Sequence, residues 1–567
     1  MPGIALLGVI LLGGALRFLD FTLLPMGLSY DEGLEAYDAL KIIDGNRPLF
    51  LGSPDPREPL YAYIASISIS VFGRTPAATR LPAALAGTGT LFGIYLISNS
   101  LYGKRVGMLA ALFAAFSTPM IVISRFGVPQ VLFPLVLSLA VWAGLRAWKG
   151  SSLYYWPLSG ALLGLAFYTY SPVRAVALVV PLLAAGSLLL LRDRRLLIGW
   201  TLFILAWGMI AGPLLIYNWD AQVFFYPNFR IHLDNSLPEN FNAFVESFWD
   251  RYYNYRPRVG VVSILEQTTS MPELISLIRS QTIAVLRGFV VPGSGDMNYR
   301  SNIAGTPLLN PWATLLFIVG AFAGLRQRRR AALMFIGLLL IFGALPAIIS
   351  DVPPHFGRSG GVWAVLFVLP ALGLRELYVW LQTRASRFYA TTIGSAFLAG
   401  SFLLPLNAVW VQHHFEQPIV QAYFHWPRTE MSVTINQFLG SGWIGSSEAR
   451  HGEGTFEERQ VWVDEKLWRN WQQLYLTGSP DNLILYDADN PPVDAQLSRE
   501  VLFVVGEGDE SQTLVMLESV YYTSFSTPHW VSSDWLADVP LERLQRLDWE
   551  QDVYMYIHAM RNESIEQ

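Results

Sequence analysis

The chain is 567 residues long, 52% hydrophobic and only 15% charged, with a mean hydropathy of +0.35. Ordinary soluble domains carry roughly 25% charged residues, so the composition argues against a wholly water-soluble enzyme. The absence of Cys excludes disulfides, Cys-ligated zinc, iron–sulfur clusters and thiol nucleophiles.

The net charge of −5 conceals a division. Residues 412–567 hold 25 acidic and 9 basic side chains, whereas residues 1–411 hold 19 and 30. The basic charge lies between apolar runs, which speaks against a nucleic-acid binder and for an integral membrane protein with a soluble appendage.

Runs near 20 apolar residues span the ~30 Å hydrocarbon core of a bilayer. Eleven are read in chain order: near 3–24, 80–102, 106–123, 128–147, 154–172, 174–191, 196–216, 308–325, 331–350, 361–382 and 388–411. The first has no basic leader and no small-residue cleavage site, so it reads as an uncleaved anchor. Basic residues fall on every second short loop: Lys104 and Arg105; Arg146 and Lys149; Arg192, Arg194 and Arg195; Arg326 and Arg328–Arg330; Arg384 and Arg387. That alternation places the N-terminus in the cytoplasm. Segments 25–79, 217–307, 351–360 and the tail from 412 then lie outside. The tail reads as a small α/β unit, with strands at Asn482–Asp487, Val501–Gly506 and Val553–His558 and short helices at Thr513–Tyr521 and Leu541–Leu547.

The outside loops hold the chemistry-bearing residues. The first runs Ser29-Tyr30-Asp31-Glu32-Gly33-Leu34-Glu35-Ala36-Tyr37. Adjacent carboxylates beside a bilayer are expensive to hold. Asp31 and Glu35, four apart, share one helix face, and Tyr30 and Tyr37 suit the flanks of a sugar. The plainer reading is an acidic helix N-terminus that complements the dipole, and both readings stay open. The loop continues Arg57-Glu58-Pro59-Leu60-Tyr61 into an amphipathic stretch, Ala62–Phe72, of the kind that lies along a membrane interface. Arg57 suits a phosphate, which arginine grips bidentately; its alternative is a surface pair with Asp55 or Glu58.

A third cluster is the Gly-rich Pro292–Asn302, with Asp296, Asn298, Arg300 and Asn302. It reads either as a sugar-phosphate site or as a turn held by Asx bonds. A fourth, Pro353–Ser359, carries His355 and Arg358 at the mouth of the tenth run, as part of a site or as an interfacial anchor.

Other motifs fail on context. Gly87–Gly93 sits inside an apolar run, where small residues permit close helix packing. Asp487-Ala488-Asp489 has the form of a metal-binding DxD but precedes Asn490-Pro491-Pro492, a plain turn. His413 and His414 sit at an interface, and the Asn562 sequon lies at the extreme C-terminus.

Taken in order, the Asp31-Glu32 pair after the first run and Arg57-Glu58-Pro59-Leu60 before the next resemble the GT-C glycosyltransferases. The closer resemblance is to family 39, the bacterial aminoarabinose transferases and protein O-mannosyltransferases. Ser124-Arg125-Phe126-Gly127, Gly164–Pro172, the Asp296–Asn302 loop and His355–Arg358 extend it along most of the membrane body.

The resemblance implies a mostly α, polytopic GT-C membrane domain over 1–411 and an extracytoplasmic α/β domain over 412–567. It implies an inverting transferase that moves a hexosyl or pentosyl sugar from a polyprenyl-phosphate carrier to a lipid, glycan or protein acceptor outside the cytoplasm. The setting expected is the plasma membrane of a prokaryote. Asp31 would be the first-loop catalytic carboxylate, as general base or as ligand of a divalent cation; a mechanism without a cation stays equally open. Glu32 and Glu58 are the further candidate acids. Arg57, with Arg300 and Arg358, would hold the donor phosphate. Tyr30, Tyr37, Tyr61, Asp296, Asn298, Asn302 and His355 would line the substrate site. Two positions depart from the family pattern: Ser124–Gln130 offers no second acid, and Glu58 stands where a proline is common. The alternative function is a lipid-linked sugar transporter or flippase without transferase activity.

Overall fold

The computed structural model describes residues 2–51, 57–191, 193–220, 271–325, 330–350, 353–384, 387–403, 413–443, 459–468, 471–478, 480–489, 498, 500–506, 521–526 and 554–561. The chain divides into two compact units. The first is Met1–Leu19, Arg47–Tyr61 and Ala83–Gln412; the second is Asp20–Asn46, Ala62–Pro82 and His413–Gln567.

The chain is mostly helical. In order come α1 (Pro2–Phe18), α2 (Tyr30–Ile43), α3 (Leu60–Phe72), α4 (Pro76–Tyr102), α5 (Lys104–Ala115), α6 (Thr118–Ile123), α7 (Leu132–Trp148), α8 (Tyr155–Ala166), α9 (Val173–Ala177), α10 (Val179–Leu191) and α11 (Arg194–Asp220). They are followed by α12 (Met271–Val290), α13 (Pro311–Leu325), α14 (Arg330–Ile348), α15 (Gly360–Leu366), α16 (Val368–Arg384) and α17 (Arg387–Leu403). The last are α18 (Pro418–Tyr423), α19 (Trp426–Leu439) and α20 (Trp471–Thr477). Each apolar run contains helix. Among the described residues five stretches are long and apolar enough to cross a membrane: Pro76–Tyr102, Pro129–Trp148, Arg194–Tyr217, Arg330–Ile348 and Gly360–Arg384.

Several runs are interrupted. The run at 106–123 breaks between α5 and α6, and the carbonyls that end α5 need donors. Arg17 of α1, fully buried, supplies two: Nη1 donates to Ala115 O at 3.4 Å and Nη2 to Ala114 O at 3.5 Å, while Nη1 also donates to Gly13 O of its own helix at 2.8 Å. A cation at a helix C-terminus also matches the dipole. The glycines of α4 act in packing: a Cβ at Gly87 would collide with the Ser124 side chain, and one at Gly93 with Ser138. Helix α3 exposes Ile67, Val71 and Phe72 and buries Ser66 and Ser68. It also buries Tyr61, Ala62, Ala65 and Ile69, so apolar residues lie on both its faces.

In the second unit a five-stranded sheet has the order β2-β1-β3-β5-β4. The strands are β1 (Arg459–Asp464), β2 (Leu483–Tyr486), β3 (Glu500–Gly506), β4 (Tyr521–Ser526) and β5 (Tyr554–Arg561). Strand β1 pairs in parallel with β2 and β3, whereas β5 pairs antiparallel with β3 and β4. Two hydrophobic clusters pack its faces, one of them with Met431, Ile435 and Leu439 of α19. The expected strands at 482–487, 501–506 and 553–558 correspond to β2, β3 and β5; β1 and β4 were not expected. Tyr521 opens β4 rather than closing a helix, because it takes up pairing with Arg561. Residues 513–520 and the expected helix Leu541–Leu547 lie outside the described residues.

Candidate functional site

The sequence around Asp31 starts a helix in the second unit. Ser29 is the N-cap: its Oγ accepts the Glu32 N–H at 3.2 Å, and Glu32 Oε2 accepts the Ser29 N–H at 2.9 Å, a reciprocal capping box. Glu32 is fully buried and pairs with Arg80, also buried, through Nε–Oε1 at 2.7 Å and Nη2–Oε2 at 2.9 Å. Arg80 spends its other donors on Pro25 O at 2.6 Å and Gly27 O at 2.5 Å. A buried ion pair survives only when its remaining hydrogen-bonding groups find partners, and four of the five N–H groups of Arg80 are taken up here. Glu32 thus anchors the helix. Its neighbour Asp31 stays partly exposed in the first turn, as does Tyr30. In the last two turns of the helix, Lys41 pairs with Asp38 at 3.2 Å and sits 4.3 Å from the ring centroid of Tyr37.

In the first unit three of the loops read as external meet. Arg57 exchanges both backbone hydrogen bonds with Leu51, at 2.9 and 3.0 Å. Glu58, buried, accepts from Arg174 Nη2 at 3.0 Å and from the Ser171 backbone N–H. Burial pushes the Glu58 carboxyl upward, opposed chiefly by Arg174. The Leu60 N–H donates to Tyr168 O at 3.1 Å. Residues 57–60 are therefore stitched to the turn that follows α8, and Tyr61 behind them is wholly buried.

Asp296 organises the second loop. Its Oδ1 accepts the Asn298 N–H at 2.8 Å; its Oδ2 accepts the Phe356 N–H at 2.8 Å and Ser301 Oγ at 3.1 Å. Burial pushes its carboxyl up to about 6, against those hydrogen bonds and the charge of Arg358. Asn298 Oδ1 accepts the Arg300 N–H at 3.1 Å, and Asn302 Nδ2 donates to Asp296 O and Thr306 O, both at 2.9 Å. These are Asx bonds of the kind that hold a turn. They fix Arg300, whose guanidinium lies 5.7 Å from the Phe126 ring centroid.

The Asp296–Phe356 bond ties in the third loop. His355 Nδ1 accepts the Arg358 N–H at 3.3 Å. The Arg358 guanidinium reaches Ser350 Oγ and the Tyr170 hydroxyl, which also hydrogen-bonds Gln130. Gly357 lets Gln130 approach: a Cβ there would stand 3.2 Å from Gln130 Oε1.

Of the candidates, Glu58, Asp296, Asn298, Arg300, Asn302, His355 and Arg358 thus belong to one interconnected set. Asp31, Glu32, Tyr30 and Tyr37 belong to the other unit. Tyr170, Arg174, Gln130 and Arg80 were missed as site residues. The first three sit in or beside the strings Ser124–Gly127 and Gly164–Pro172, so their segments were flagged although their side chains were not. Arg80 is a lone basic residue opening an apolar run, which was the available signal. Among the described residues no group of three metal-ligating side chains forms. At the tail's DxD, Asp487 Oδ1 accepts the Asp489 N–H at 3.1 Å and Asp489 pairs with Lys466 at 2.8 Å, a plain turn.

Residues 54–217 match the family model for dolichyl-phosphate-mannose-protein mannosyltransferase. No curated protein matches the sequence significantly. Among solved structures the chain is similar to ArnT from Cupriavidus metallidurans bound to undecaprenyl phosphate, at 13% identity and a TM-score of 0.51, covering 98% of this chain and 97% of that one. It is also similar to the Archaeoglobus fulgidus oligosaccharyltransferase in complex with zinc and sulfate, at 13% identity and a TM-score of 0.50, covering 92% and 72%. The chain therefore resembles the GT-C glycosyltransferases in sequence over 54–217 and in fold over nearly its whole length.

Proposed function

We propose that this protein of GT-C fold is a membrane glycosyltransferase that moves a sugar from a polyprenyl-phosphate carrier to a lipid, glycan or protein acceptor on the extracytoplasmic side. The observation that carries the reading is the Asp31-Glu32 pair. Glu32 is consumed by its cap and by Arg80, which leaves Asp31 as the partly exposed carboxylate on a helix whose start is fixed. A hydroxyl is a weak nucleophile, and a positioned carboxylate that takes its proton typically contributes ~10²–10⁴-fold.

In this reading the acceptor oxygen attacks the anomeric carbon as Asp31 removes its proton. The bond to the carrier phosphate breaks on the opposite face, with inversion. Arg358 and Arg300, with Arg57, stabilise the departing phosphate. Glu58 and Asp296 hold the arginine-bearing loops, the first through Arg174 and the second through Phe356. No step is assigned to a cation. The prenyl-phosphate donor class is supported by the likeness to ArnT bound to undecaprenyl phosphate and by the family match over 54–217.

The same proposal puts the protein in a prokaryotic plasma membrane as a multi-pass chain, N-terminus in the cytoplasm and residues 412–567 outside. The alternating basic loops support it. So does the second unit, in which the residues after His413 pack with segments 20–46 and 62–82, which lie mostly in the first outside loop.

The test is incubation of the purified protein with radiolabelled polyprenyl-phosphate sugars and a cell-envelope extract as acceptor. The reading expects label to leave the carrier and free polyprenyl phosphate to appear. In sealed vesicles, label that crosses the bilayer still attached to its carrier would instead identify a transporter.

A further inference from the structure

The helix that carries Asp31 is fastened by residues about four hundred positions further along the chain, all within the second unit. Ahead of the helix, the buried Leu28 N–H donates to Thr429 Oγ1 at 2.9 Å, and Thr429 is itself wholly buried. Gly27, at φ +84°, passes so close to the turn between α18 and α19 that a Cβ would collide with Phe424 O and stand 2.9 Å from the Trp426 backbone. His425, at φ +48°, makes that turn. The Phe424 ring centroid lies 5.5 Å from the guanidinium of Arg80, which grips Glu32. Helix α2 packs against α20. From α20, the Tyr475 hydroxyl donates to Thr75 O at 3.1 Å and accepts from Thr79 Oγ1 at 3.2 Å. Those two threonines lead directly into Arg80.

We infer that α18, α19 and α20 are the positioning frame of the Asp31 helix, with Thr429 as its key positioning residue. The inference rests on Asp31 being the base. It deepens that reading by giving the tail's first segment a role in the chemical step. Thr429 holds the backbone two residues before the helix begins, between Gly27, whose carbonyl Arg80 grips, and Ser29, which caps the helix. A buried N–H without its acceptor seeks another partner, and the nearest freedom is rotation of the segment that presents Asp31. Misplacement of a reacting group by ~1 Å costs ~10²-fold in rate while leaving ground-state binding nearly intact.

The experiment compares Thr429→Val, Thr429→Ser and Tyr475→Phe with Asp31→Asn in the full-length protein in lipid nanodiscs, with rates normalised to folded protein. The inference expects Thr429→Val to lower kcat about tenfold or more, with donor KM within about twofold and recovery to near wild type in Thr429→Ser. Tyr475→Phe should show the same division, more weakly, and carries the test if Thr429→Val does not accumulate. Wild-type kcat in both Thr429→Val and Tyr475→Phe, with Asp31→Asn inactive, overturns the frame and leaves the base in place. Losses confined to KM, or fully explained by a smaller folded fraction, overturn it as well. Full turnover in Asp31→Asn removes the base and the frame's purpose together.

Discussion

Glu32 and Arg80 meet across 48 positions of sequence, both wholly buried, with Nε 2.7 Å from Oε1 and Nη2 2.9 Å from Oε2. That relationship separates the two adjacent carboxylates at the start of α2 by function. One is structural, and the other retains exposed surface.

Removal of one partner should therefore unfold the site rather than merely slow it. Glu32→Ala or Arg80→Ala leaves an uncompensated buried charge, a loss of about 3–5 kcal/mol. Thermal unfolding of the purified variants should show a clearly lowered midpoint. Asp31→Asn, at a partly exposed position, should stay within about 0.5 kcal/mol of wild type. Equal midpoints for Glu32→Ala and wild type would show that the pair does not hold the loop.

Asp296 makes a pH-dependent contribution whose sign follows from its environment. Its carboxyl is pushed from the ordinary 3.8 up to about 6, so the folded chain binds that proton more tightly than the unfolded one. The associated stabilisation is complete below about 3.8 and is lost as pH rises through about 6, on the order of 2–3 kcal/mol. The difference in stability between wild type and Asp296→Asn, measured from pH 4 to 7, should fall across that window. A flat difference would contradict the assignment.

Arg358 is held by Ser350 and Tyr170 with its charge beside the Asp296 loop. If it stabilises the departing phosphate, Arg358→Gln should lower kcat about 100-fold, and Arg358→Lys should restore part of it. Competition by free polyprenyl phosphate should weaken in parallel. Unchanged kcat in Arg358→Gln would take this arginine out of the reaction.

Much of the fold could be read along the chain because all eleven apolar runs contain helix, although among the described residues five stretches are long and apolar enough to cross a membrane. The capping-box start at Ser29 and the Asx-held loop at Asp296 are also local, set by residues within six positions of one another. The partnerships that define the site are not local. Glu58 meets Arg174 across 116 positions, and Leu28 meets Thr429 across 401. Such pairings depend on which helices pack together, and neither partner carries a mark of it in the sequence. Strand β1 is hard to read for a related reason: Arg459-Gln460-Val461-Trp462-Val463-Asp464 has a short apolar centre between polar ends, and Asp464 is buried at its end, paired with Tyr486 of β2.

The central claim is that Asp31 takes the acceptor's proton. Its most direct test is single-turnover transfer from a labelled polyprenyl-phosphate sugar by wild type and Asp31→Asn, with donor binding measured on the same samples. The account predicts transfer reduced by about 10²–10⁴-fold with donor affinity nearly unchanged. Equal transfer by the two proteins would contradict it and move the base to another carboxylate.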